Sequence, residues 1–109
     1  MIEIWKDIKG YEGLYKVSNT GKVFSYKSNK LLSLKSINSG GYIQVGLYKS
    51  KKAKMFCVHK LVAEAFIPNP LSLDVVDHLD ENKTNNNVHN LEWVTQYENI
   101  MRSIRRKKR

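Results

Sequence analysis

The sequence predicts an α+β fold, with an N-terminal antiparallel β-sheet lobe followed by a strand–loop–strand–helix unit. Three observations predict it. Short β-prone runs in the first half are separated by Asn- and Gly-containing turns, the pattern of hairpins. Leu61, Val62, Ala65 and Phe66 recur at helical spacing. From Leu73 onward, an apolar run, a polar loop, a short return and a helix-capping signal follow in immediate succession.

Taken in order, Tyr15–Ser18 and Lys22–Tyr26 flank the turn residues Asn19, Thr20 and Gly21. Gly40 and Gly41 precede a strand over Tyr42–Tyr48, Lys49–Lys52 reads as its turn, and Lys54–Val58 as the returning strand. The helix over His59–Phe66 stops at Ile67-Pro68-Asn69-Pro70, because each proline restrains its predecessor away from helix. Leu73–Leu79 is apolar and β-branched, a strand carrying Asp77 and His78. Asp80–Asn87 is a polar loop and Leu91–Val94 a short extended return. Thr95 is placed to cap a helix from about Gln96, with Glu98 at the capping-box position and Asn99 in the first turns. The basic run from Arg102 either extends that helix or is disordered. The expected organisation is a β-rich module over 1–54, a second unit over 55–101 and a basic tail over 102–109.

Composition bounds the function. A chain of 109 residues, 41% hydrophobic, can form one small domain or two very small lobes around a thin core. No window approaches the length of apolar sequence that a membrane span needs, and the first residues lack the plan of a signal peptide. Cys57 is a lone cysteine, so no internal disulfide is possible and a cytoplasmic setting is the default. One Cys and three His argue against a structural zinc site. Cys57 and Trp93 read as core residues, and His89 as exposed.

Net charge is +9, and its distribution is more informative than its size. Residues 1–54 carry eleven lysines against three acids, residues 55–101 two lysines against seven acids, and residues 102–109 six basic residues and no acid. An acidic centre between basic flanks fits a cation-binding site whose surroundings grip a polyanion. Nucleic acid is the partner that this pattern favours. Lys22, Lys27, Lys49, Lys51, Lys52, Lys54, Arg105 and Arg106 are the expected phosphate contacts. Tyrosines interleaved with the lysines either stack on bases or fill half-buried sheet positions.

The acidic centre holds the chemistry. A histidine can take a proton from water near neutral pH. Asp and Asn oxygens are hard ligands suited to Mg²⁺ or Mn²⁺. His78 beside Asp77, with Asn90 opening the return strand and Asn99 on the following helix, therefore points to metal-assisted phosphodiester hydrolysis. Adjacent strand residues face opposite sides, so a bulge or the end of the strand must bring Asp77 and His78 to one site. Asn90 is placed to tie the loop ends together or to orient the histidine. His59 reads as structural or phosphate-contacting, and Asp80 and Glu81 as loop residues.

Val58-His59-Lys60-Leu61-Val62-Ala63-Glu64-Ala65-Phe66-Ile67-Pro68-Asn69-Pro70, Val76-Asp77-His78, Lys83-Thr84-Asn85-Asn86, Asn90-Leu91-Glu92-Trp93-Val94-Thr95 and Glu98-Asn99 resemble an HNH endonuclease of the phage and intron-homing type, in the variant that ends its motif on Asn. Trp5-Lys6-Asp7-Ile8, the stretch Gly10–Asn19 and Gly21-Lys22-Val23 resemble the DNA-binding module that often precedes this nuclease. The resemblance implies a ββα-metal (His-Me finger) fold with His78 as general base, Asp77 and Asn99 as ligands of one divalent metal, Mg²⁺ or Mn²⁺, and Asn90 as the residue that orients the base or braces the hairpin. It implies double-stranded DNA as substrate, cut to 5′-phosphate and 3′-hydroxyl ends, and a phage- or intron-encoded protein acting in a bacterial cytoplasm. Larger members that resemble this chain continue into helical DNA-binding modules, where this sequence ends in Arg105–Arg109. The basic tail taking over those contacts, dimerisation, and truncation all remain open, as does the choice between monomer and homodimer. From other functional classes, a non-catalytic DNA-binding regulator and an RNA-directed nuclease stand as alternatives.

Overall fold

The structure, a computed structural model, describes residues 2–108. Alternation of side chains builds the N-terminal sheet: β1 (Trp5–Asp7), β2 (Tyr15–Ser18), β3 (Val23–Ser25) and β4 (Lys30–Leu31) pair antiparallel in sequence order. Val17 and Val23 face each other in the β2–β3 register and are fully buried. The expected strands over 15–18 and 22–26 are therefore present, while β1 and β4 join them without a clear signal of their own. Both are short edge strands that acquire definition only by pairing. The β2–β3 connection turns on Gly21, whose φ of +92° is a left-handed conformation suited to glycine.

A second hairpin, β5 (Gln44–Lys49) and β6 (Lys52–Cys57), places Ser50 and Lys51 in its two-residue turn, both with positive φ. The opposite twist of that turn matches the strands, although neither residue is the Asn or Gly that usually fills it. β6 runs across the expected 54/55 division. Its last residue, Cys57, leads directly into α1 (Val58–Phe66), which buries Val58, His59, Leu61, Val62 and Ala63 and ends before Pro68.

β7 (Val75–His78) and β8 (Leu91–Val94) form the third hairpin, joined by the long polar loop and a 3₁₀ turn over Val88–Asn90. α2 (Gln96–Lys107) follows at once. The Glu98 N–H donates to Thr95 Oγ1 at 3.0 Å, as the capping signal predicts. The expected tail over 102–109 is helical to Lys107, and its last residue, Arg109, lies outside the described residues.

One hydrophobic cluster holds these parts together. Ile8 just after β1, Val17 and Val23 of the first sheet, Val45 and Leu47 of β5, the buried face of α1, Val76 and Leu91 all belong to it. The N-terminal sheet and the β7–β8 hairpin thus share a core through α1. Trp93 packs on this core half-buried, its Nε1 donating to Ile67 O at 3.1 Å. His89 is exposed.

Candidate active site

His78 is the last residue of β7 and is 3% exposed. The β7–β8 register is regular through Asp77↔Glu92 and His78↔Leu91, so the end of the strand, rather than a bulge, lets the two side chains reach one site. They line a single cleft of about 390 Å³ together with Asn99 and Ser103 of α2, Tyr42, Lys83 and Arg106. The cleft brings together the expected base and both expected metal ligands. Asn90 lies outside its lining.

Asn90 is instead the brace of the loop. Its Nδ2 donates to Asp80 Oδ1 at 2.8 Å and to Asn85 O at 2.9 Å, while its Oδ1 accepts from the Asp80 N–H at 2.9 Å. The Leu79 N–H donates to Asn90 O at 2.8 Å. These bonds close the polar loop at its neck. Asp80 also accepts from Asn85 Nδ2 and the Asn82 N–H, and these bonds, Asn85's foremost, hold its carboxyl below the usual carboxylate range.

The side chain that hydrogen-bonds the histidine is Asn86. Its Oδ1 stands 2.8 Å from His78 Nε2 in a fully buried contact. Two rings pack on the same imidazole. His59 lies with its centroid 4.9 Å from that of His78, and Tyr42 stacks on His59 at 4.9 Å and on His78 at 5.8 Å. His59 Nδ1 is buried without a hydrogen-bond partner. Burial first, then the neighbouring His78 and Lys60, lowers the His59 pKa to about 4, so its ring is neutral. Asn86 had one usable signal in the sequence, its place in the Lys83–Asn86 motif segment. His59 had the same kind of signal, its place in the Val58–Pro70 motif segment, whereas Tyr42 carried none.

Asp77 is 5% exposed and faces α2. Arg102 Nη1 approaches its Oδ2 at 3.0 Å, and Arg106 reaches Oδ2 and Oδ1 at 3.0 and 3.2 Å. Burial pushes the Asp77 carboxyl up, but hydrogen bonds and charge from Arg106 and Arg102 outweigh it and leave it below the usual range. Arg102 is also held by Glu92 and Glu98, and Arg106 by Glu81. Arg105, expected on DNA, pairs with Glu98. Lys22, Lys27, Lys49, Lys51, Lys52 and Lys54 are exposed, the last four clustered on the β5–β6 hairpin.

Among the described residues no group of three or more His, Cys, Asp or Glu side chains is arranged to hold a metal. The cleft lining offers two carboxylates, Asp77 and Glu81, the latter paired with Arg106, and one amide oxygen, Asn99. Asp77 with Asn99 fits a hard cation of the kind that takes one or two protein oxygens and completes its shell with water and phosphate. Among the described residues no helix is long and apolar enough to cross a membrane.

The chain resembles known proteins over nearly its whole length. A NUMOD4 motif model matches residues 3–48 and an HNH endonuclease model residues 56–101. The chain is 52% identical over 102 residues to DNA endonuclease I-HmuI of Bacillus phage SP01, covering 94% of this chain and 58% of that protein. It is 36% identical over 91 residues to the H-N-H endonuclease F-TflII of Escherichia phage T5, covering 82% of this chain and 47% of the relative. A solved structure of DNA binding and cleavage by the HNH homing endonuclease I-HmuI superposes with a TM-score of 0.87 at 51% identity, covering 95% of this chain and 59% of that one. The chain thus spans about half the length of these relatives.

Proposed function

The chain carries a NUMOD4 motif followed by an HNH endonuclease domain, and from that premise we propose that it is a metal-dependent endonuclease of double-stranded DNA with His78 as general base. The observation that carries the reading is the cleft that gathers His78, Asp77 and Asn99, with basic residues at its rim. The β-rich N-terminal module supplies DNA contacts through Lys22, Lys27 and the hairpin lysines Lys49, Lys51, Lys52 and Lys54, and the nuclease unit follows it. Arg105 and Arg106 are assigned to the DNA backbone as well, Arg106 from the lining of the cleft.

Lys83, Arg106 and Lys107 attract the scissile phosphate into the cleft. His78, held with its ring packed between neighbours, takes a proton from a water as the water oxygen attacks phosphorus in line. The new oxygen–phosphorus bond forms as the bond to the 3′-oxygen breaks, and the released 3′-oxygen takes a proton from solvent water, leaving 5′-phosphate and 3′-hydroxyl ends. Asp77 and Asn99 would hold a divalent cation, Mg²⁺ or Mn²⁺, which when bound neutralises charge on the phosphate and on the leaving oxygen. Asn90 keeps the loop closed around the base. The site of action is the DNA of a host cell's cytoplasm.

Plasmid incubated with the protein and Mg²⁺, Mn²⁺ or a chelator tests this reading, beside a His78→Ala variant. Cleavage should need the cation and fall at least about a hundredfold in the variant, with DNA affinity retained. Chelator-resistant cutting, or a variant cutting at the normal rate, would overturn it. A second reading, a non-catalytic DNA-binding regulator, draws on the engagement of both Asp77 oxygens by guanidinium groups. DNA binding without cleavage under any divalent cation would select it.

A further inference from the structure

The polar loop that closes the cleft is fastened to the N-terminal module at two points, Lys83 within it and Val88 just after it. The Val88 N–H donates to Asn19 O at 2.8 Å, in the turn between β2 and β3. Next to it, Gly21 packs so tightly on Asn86 that a Cβ added there would lie 3.0 Å from Asn86 Cβ and 3.1 Å from its carbonyl oxygen. Further along, Lys83 Nζ donates to Gly40 O at 2.8 Å and lies over the Tyr42 ring at 4.9 Å. Between these two fastenings, Asn86 Oδ1 meets His78 Nε2.

A carbonyl oxygen accepts but does not donate, so this contact keeps the proton of neutral His78 on Nε2 and leaves the lone pair on Nδ1. The stacked His59 and Tyr42 rings limit how the imidazole can turn. We propose that Asn86 is a positioning residue that fixes the ring orientation and tautomer of His78, and that the β2–β3 turn of the N-terminal module holds Asn86 in place. The module therefore works in the nuclease step as well as in DNA binding. This role of Asn86 rests on the assignment of His78 as the base.

The chemistry separates the role from bulk stability. Asn86→Leu keeps the volume and removes the acceptor. Asn86→Asp keeps an acceptor oxygen at the same place. Gly21→Ala presses a methyl group onto Asn86 from the other module. Single-turnover cleavage, DNA affinity and the nitrogen shifts of the His78 ring in metal-free protein are measured for each, with thermal melts to establish folding.

Asn86→Leu should lose about 10- to 100-fold in the cleavage step, as removal of partners that orient catalytic groups does, with DNA affinity nearly unchanged. Its His78 ring should pass from the Nε2–H form to a mixture of tautomers. Asn86→Asp should keep the Nε2–H form and recover most of the rate. Gly21→Ala should resemble Asn86→Leu in both readouts.

A folded Asn86→Leu that cleaves at the normal rate, or one with an unchanged tautomer, would overturn the proposal, as would an Asn86→Asp as impaired as the leucine variant. Should Gly21→Ala fail to fold, the two Asn86 variants decide alone. Failure of the base assignment looks different: His78→Ala would then cleave normally, whereas an inactive His78→Ala beside a fully active Asn86→Leu sinks only the role of Asn86.

Discussion

Arg106 grips Asp77 from the same helix that carries Asn99. Its two terminal nitrogens stand 3.0 and 3.2 Å from the two carboxylate oxygens, and Asp77 is almost wholly buried. A buried carboxylate without a partner is strongly destabilising, so the pair docks the end of α2 on β7. The same carboxylate is the one charged donor of the proposed metal set, where a guanidinium and a divalent cation would compete for it.

Replacing Arg106 by Met should therefore tighten Mn²⁺ binding. Relief of even about 1 kcal/mol of charge repulsion is worth roughly a fivefold change in affinity. The same variant should lose helicity at the end of α2. Titration calorimetry with Mn²⁺, alongside circular dichroism, measures both. Weaker Mn²⁺ binding in a folded variant would show that Arg106 supports the cation site instead of opposing it.

Asp77→Ala and Asn99→Ala should each weaken Mn²⁺ binding, and the double variant should cleave no worse than the poorer single. Groups that act as one unit are not additive. Asp77→Ala also removes a partner of both Arg102 and Arg106, so its fold must be checked by melting. Unchanged Mn²⁺ affinity in both singles would remove these residues from the cation shell.

The hairpin lysines offer a cleaner view of DNA binding than the C-terminal arginines, whose side chains are tied to Asp77, Glu81 and Glu98. Lys51→Ala with Lys52→Ala should make the plot of log affinity against log salt shallower by roughly one for each phosphate that the lysines no longer neutralise. Fluorescence anisotropy over a range of salt would measure it. An identical slope would place the hairpin off the DNA backbone.

His59 links stability to pH. Its folded pKa of about 4 lies below the ordinary value of 6.5. The unfolded chain therefore binds a proton that the folded protein refuses as pH falls between those values. Stability from this group is complete above about pH 6.5 and is lost on acidification, by roughly 3 kcal/mol at pH 4. His59→Phe should flatten that part of the profile in urea denaturation curves between pH 7 and pH 4. Parallel profiles for the two proteins would contradict a neutral, buried His59.

Local signals were enough for most elements. The strands at Tyr15–Ser18 and Leu91–Val94 and the cap at Thr95 follow from alternation, turn residues and a hydroxyl three positions before Glu98, all of which lie within a few residues of one another. The association of His78, Asp77 and Asn99 was legible for the same reason, because hairpin and helix are contiguous in the chain. Tertiary structure decided the partners. Several asparagines stand between Asn82 and Asn90, and nothing local distinguishes the one that meets His78 from the one that braces the loop. That choice is made where Asn19 and Gly21 fasten the loop from another part of the chain. Likewise Arg102 and Arg106, read from sequence as part of a basic tail, lie 25 and 29 residues from Asp77 and reach it only because α2 packs back over β7. Burial then makes the pairing compulsory, since a carboxylate removed from water must find a compensating charge.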